Sequence, residues 1–139
     1  MAEMTPVNSF AMDVHDGVHD LNTAALTVAL CASANAPVAT NTVLANLTEI
    51  AYTNLSTRAI AVNSFATVGA RAEVNADDLV LTASGGNVET FRYAVLYNDT
   101  AASDNLIGWW DLGQDITILD GNTHKLNFDG ATNILITIG

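Results

Sequence analysis

The chain has 139 residues and a formal net charge of −11, with four basic residues (Arg58, Arg71, Arg92 and Lys125) against fifteen acidic ones. That balance argues against a nucleic-acid partner, which needs a basic stripe to neutralise phosphates. A membrane helix is excluded as well, because the longest apolar stretch, Ala24–Ala32, is broken by Thr27 and is far shorter than a bilayer span.

The length fits one domain with a real core, read as residues 1–139 with an N-terminal arm and short helix over 1–20. Charged residues make up only 14%, against about 25% in an ordinary soluble domain, and mean hydropathy is +0.27. Such a composition predicts surface that assembly buries. The start, MAEMTPVNSF, has neither a basic region nor an apolar run and predicts no secretory leader. A lone cysteine, Cys31, rules out an internal disulfide and fits a reducing compartment.

In chain order, Ser9–His19 reads as a short helix. Ser9 is placed to cap it, Phe10, Val14 and Val18 recur at helical spacing, and Gly17 weakens its far end. LNTAALTVALCAS contains a strand with Leu26, Val28 and Leu30 inward. Asn35–Asn46, marked by Pro37, is a loop with room for one helical turn. LTEIAYTN is expected as a short strand carrying Tyr52. Arg58–Val68 is a strand whose parity changes midway: Ile60 and Val62 share a face and Phe65 falls on the other. A bulge or break near Asn63–Ser64 would bring them together. Arg71–Val74 is a short strand, Leu79–Ala83 alternates, and Ser84-Gly85-Gly86-Asn87 is a turn. Beyond residue 91 the chain reads as a hairpin, then Ile116–Leu119, a turn at Asp120-Gly121-Asn122, HKLNFD with Leu126 and Phe128 inward, and ILITI with Ile134, Ile136 and Ile138 on one face. About eight to ten short strands at regular spacing predict an all-β fold, an antiparallel β-sandwich or jelly roll with one short N-terminal helix.

The hairpin is the most informative stretch. In FRYAVLYN, Phe91, Tyr93, Val95 and Tyr97 alternate with Arg92, Ala94, Leu96 and Asn98, so the aromatic rings are expected on one face. The loop NDTAASDN leads into LIGWWDLG, where Trp109 and Trp110 are adjacent. Neighbouring strand residues face opposite ways, so one indole leaves the core face and something must cover it. Trp110 shares parity with Leu106 and is expected in the core. Trp109 shares parity with Ile107 and the acidic Asp111, on the wetter side. Trp109, Ile107 and Trp110 are therefore the candidate partner interface, since tryptophan is enriched in interface cores.

Sites for chemistry are sparse. His15 and His19 are four apart and would share a helix face, as zinc ligands can, but no third ligand cluster accompanies them. Asp77–Asp78, Asp99 with Asp104, and Asp111 with Asp115 lack the alternating spacing of a calcium loop and read as solvated turn residues. Cys31 lies inside an apolar strand and reads as a packed thiol. Asn46, Asn54 and Asn98 match the glycosylation pattern, which chance explains in a chain this rich in Asn and Thr. The reading is of no enzyme, no cofactor and no metal.

Two blocks carry a resemblance. Val7–Ile60, with APVATNTVLA and EIAYTNLS, and Leu79–Gly139, with LTASGG, FRYAVLYNDTA and LIGWWDLG, resemble a family of small structural proteins encoded by tailed bacteriophages. The likeness is weakest over Ala61–Asp78. It implies a virion component, preferably a capsid decoration (cement) protein on the outside of the shell, made in the bacterial host cytoplasm. Its partner would be the major capsid protein, and it would form a homo-oligomer, a dimer or trimer, touching neither nucleic acid nor membrane. The other role it implies is a tail or tail-fibre component, structural or carbohydrate-binding. An acidic surface suits a protein that stays away from packaged DNA.

Overall fold

The computed structural model describes residues 3–128 and 134–138. Within them the fold is an all-β sandwich of antiparallel sheets with little helix. β1 (Thr5–Pro6), β7 (Leu106–Ile116), β6 (Phe91–Asn98) and β2 (Leu26–Cys31) form a four-stranded sheet in the order β1-β7-β6-β2. β3 (Val62–Val68), β4 (Arg71–Ala76) and β9 (Ile134–Ile138) form a second sheet, and β5 (Leu79–Thr82) pairs with β8 (Thr123–Leu126). The helix α1 covers Phe10–His15.

The centre of the molecule is β6. It pairs with β2 on one side and β7 on the other. A strand buried on both faces needs apolar residues at both parities, and Phe91, Ala94, Val95, Leu96 and Tyr97 supply them. The same holds for β2, where Ala29 and Cys31 are as buried as Leu26, Val28 and Leu30. The alternation expected for β2 is therefore only half of its pattern. Phe91 meets His124 of β8 edge-on at 6.2 Å, and Trp110 meets Phe128 at 5.2 Å, so the β5–β8 ribbon packs on this sheet. Val74, Ala76, Leu135 and Ile136 join the second sheet to the same core cluster.

Several expectations change in detail. The helix ends at His15 rather than His19, because Gly17 takes a positive φ of 77° that turns the chain away. LTEIAYTN is not a strand. It runs beside β2 as irregular chain, held by Ile50 N–H donating to Leu30 C=O at 2.9 Å. Ile116 closes β7, and 117–119 are not strand. In β3 the register shifts between Val62 and Ser64, where a bulge or break was expected. Even so, Phe65 is not brought inside and remains 46% exposed. Leu126 and Phe128 are buried as expected. In β9 a register shift lets Leu135 be buried beside Ile136, so strict alternation fails there. Asp129, at the end of the HKLNFD stretch, lies outside the described residues.

Candidate functional site: the tryptophan strand and the exposed hairpin

Strand β7 is built to send its two indoles apart. Trp110 lies opposite Ala94 and Trp109 opposite Val95. Trp110 is 3% exposed and packs on Phe128, whereas Trp109 is only half-buried. The parity argument picks the right tryptophan, but not for a reason that holds along the strand. Leu96 pairs with Gly108 and Tyr97 with Leu106, which leaves Ile107 as an extra residue. Counting by twos from Trp110 to Leu106 crosses this bulge and loses its meaning. Ile107 is fully buried, and Trp110 nearly so. Of the three residues assigned to a partner interface, only Trp109 reaches the surface; the other two belong to the core.

What runs beside Trp109 is the N-terminal arm. Thr5 pairs with Trp109 and Pro6 with Gly108, and Val7 N–H donates to Ile107 C=O at 3.0 Å. The chain then leaves β7, and Leu106 N–H donates instead to Thr42 C=O at 2.9 Å. Gly108 permits this close approach: a Cβ there would lie 2.6 Å from Thr5 O and 3.0 Å from Met4 Sδ. Composition alone gave no sign that the first residues would dock here.

Beyond Trp109, Asp111 accepts from Arg92 Nε at 3.0 Å and Nη2 at 3.3 Å, and from Gly113 N–H at 2.8 Å. These bonds, the first of them above all, hold the Asp111 carboxyl below its usual range. Tyr93 stands opposite Asp111, with the Arg92 guanidinium 5.8 Å from its ring centre. Trp109, Tyr93 and this ion pair share one partly exposed patch.

The two histidines do not meet as ligands. His15 is exposed and pairs with Asp16 at 3.0 Å, while His19 is buried. His19 Nδ1 lies 3.1 Å from Asn98 Nδ2. Asn98 Oδ1 is occupied by the N–H groups of Thr100 and Ala101, so its amide nitrogen must face the imidazole. Nδ1 therefore accepts, and the proton of the neutral ring sits on Nε2, 3.8 Å from Asp13 Oδ2. Burial lowers the pKa of His19, outweighing Asp13 and a Leu106 backbone group, which both favour charge. Among the described residues no group of three His, Cys, Asp or Glu side chains is placed to hold a metal ion.

The acidic pairs serve turns and neighbours. Asp77 accepts from Asn63, while Asp78 accepts from Phe128 N–H and pairs with Lys125 at 3.1 Å. The candidate glycosylation residue Asn98 is 1% exposed, so its side chain is out of reach in the folded protein. Cys31 is fully buried, and burial, with Glu49 nearby, pushes its thiol up to about 11.

A cluster that sequence reading missed lies along the outer edge of β2. Tyr52 hydroxyl donates to Glu49 at 2.6 Å and accepts from Leu30 N–H at 2.9 Å. Arg58 stacks 3.6 Å above the Tyr52 ring and donates to Val28 C=O at 2.6 Å. The cluster finishes a strand edge. A second missed feature is the β3–β4 hairpin: every β3 residue after Val62 is exposed, including Phe65 and Val68 at 46% each.

Comparison with protein-family models, curated proteins and solved structures finds no match. No described helix is long and apolar enough to cross a membrane.

Proposed function

We propose that this chain is a non-enzymatic virion protein that binds the outside of a bacteriophage capsid and stabilises contacts between major capsid protein subunits. The observation that carries the reading is the resemblance of Val7–Ile60 and Leu79–Gly139 to structural proteins of tailed phages. An acidic β-sandwich with a half-buried tryptophan beside Tyr93 suits attachment through surface rather than catalysis. The protein adheres to a shell that already exists and works by bridging its subunits.

The test is a reconstruction of the virion together with heads that lack the protein. Density for the sandwich is expected on the shell exterior. Heads without it are expected to assemble but to burst sooner on heating or low-salt shock. Normal heat resistance, with lost adsorption to host cells, would overturn this role in favour of the tail.

A second reading, a carbohydrate-binding tail component, is favoured by one feature. Tyr93 and Trp109 lie beside the Arg92–Asp111 pair, a mixture of ring and hydrogen-bonding groups that suits a sugar. Co-sedimentation with DNA-filled heads after tail removal separates the two readings.

A further inference from the structure

We propose that β3 is a self-pairing edge, through which two copies of this chain associate by antiparallel β3–β3 pairing about a two-fold axis at Ala66. The inference does not depend on the phage reading.

An edge strand exposes a row of backbone donors and acceptors, and monomeric proteins usually blunt it with charge, proline, brevity or a covering loop. The margins at β1, β2 and β5 follow that rule. β1 is two residues long, and the outer edge of β2 is closed by Ile50, Tyr52 and Arg58. Thr82 on β5 is held by Ser56, whose N–H donates to Thr82 C=O and whose hydroxyl accepts from Thr82 N–H. Among the described residues β3 has none of these defences. It is seven residues long, VNSFATV, with no charge and no proline, and it ends its sheet.

The hairpin fixes which groups point outward. β3 and β4 are joined by the two-residue loop Gly69–Ala70, with Val68 opposite Arg71. Such a loop is closed by a hydrogen-bonded pair, and pairs then alternate. Ala66, opposite Glu73, bonds inward; Phe65 and Thr67 turn N–H and C=O away from β4. The stretch Ser64–Val68 is free of the bulge at its start. With the axis at Ala66, Phe65 of each copy faces Thr67 of the other, giving roughly four cross-copy hydrogen bonds. The small Ala66 sits at the close central pair, Val68 meets Ser64, and the two Phe65 rings lie diagonally on one face. This is the self-complementarity that a two-fold interface requires.

Charge selects a second copy, and in this orientation. A chain of −11 repels its own kind, but Ala59–Ala70 contains no ionisable side chain, so copies meet there with least opposition. Antiparallel pairing places Arg71 of one copy at the same end of the ladder as Asp77 of the other. Parallel pairing would set Arg71 beside Arg71. The ladder is short and buries less than a standard stable interface, so association is expected only at high concentration, with Kd roughly 0.1–1 mM, tightening where a shared surface concentrates the copies.

Sedimentation equilibrium of the full chain from about 20 µM to about 1 mM tests this. Wild type is expected to dimerise over that range. Phe65→Lys, which places two like charges near the axis, and Thr67→Pro, which removes an outward donor, are each expected to weaken the dimer at least about tenfold. Their melting temperatures and circular dichroism should match wild type, because neither change touches the β3–β4 ladder. Leu119→Lys, at another exposed apolar position, should dimerise as wild type does. A wild type that stays monomeric to about 1 mM overturns the proposal and shows that this edge serves a different chain or none. Association that survives both β3 variants, or that Leu119→Lys weakens equally, overturns it as well. A monomer that still binds heads would refute the self-pairing and leave the capsid role intact; a dimer that binds none would do the reverse.

Discussion

At the scale of single residues, β7 is asymmetric. Trp110 packs against Phe128 at 5.2 Å, and its truncation leaves a cavity that a close-packed core closes only in part. Trp110→Ala is expected to cost about 3–5 kcal/mol, a large part of a small protein's stability. Trp109→Ala should cost under about 2 kcal/mol in the isolated chain, yet weaken attachment to a shell by about 2 kcal/mol or more if it is a hot spot there. Melting curves and shell binding of both variants decide this, and equal unfolding by both would sink the two-faced reading. Gly108 gives a second test. A methyl group at 2.6 Å from Thr5 O must push β1 off β7, so Gly108→Ala should destabilise by about 1–3 kcal/mol and expose the first residues to protease. Unchanged stability and protection would mean that β1 docks more loosely than this contact implies.

At the scale of elements, the edge of β2 shows how side chains replace a strand. Tyr52 hydroxyl occupies the place of a backbone acceptor for Leu30 N–H, and Arg58 that of a donor to Val28 C=O. Tyr52→Phe keeps the ring under Arg58 but leaves a strand N–H without its acceptor, an expected loss of about 1–3 kcal/mol in urea unfolding. A loss near zero would mean that water takes over. Behind this edge Cys31, with its thiol pushed to about 11, is protonated at neutral pH and closed to solvent. It should react with thiol reagents at pH 8 only as fast as the protein opens, and at the ordinary rate in urea.

At the scale of the whole molecule, histidine burial links stability to pH. His19 and His124 both have lowered pKa values, caused first by desolvation. Above the ordinary histidine value of about 6.5 neither state is protonated there, and folding is unaffected. Below it the unfolded chain binds protons that the native state refuses, so stability must fall as pH drops from about 6.5 through the lowered values. Urea midpoints at pH 7.5 and about 5.5 should show that fall, and His19→Gln should reduce the slope. A midpoint that rises over this interval would mean that relief of carboxylate repulsion in the −11 chain outweighs the histidines.

The all-β class, the β6–β7 hairpin, the irregularity near Asn63 and the opposed tryptophans are legible in the residues, because each rests on local alternation and turn chemistry. The sequence did not determine that LTEIAYTN would stay irregular, since Tyr52 and Ile50 satisfy β2 without strand geometry, and that depends on where β2 lies. Nor did it place Ile107 in the core: the bulge that buries it is set by pairing with β6. Phe65 was expected to join the face of Ile60 and Val62 once the bulge had shifted its parity. It stays outside because β3 ends its sheet and nothing among the described residues lies over Phe65 to bury it. Periodicity tells a strand which of its faces differ; only the neighbouring layers decide which faces are covered.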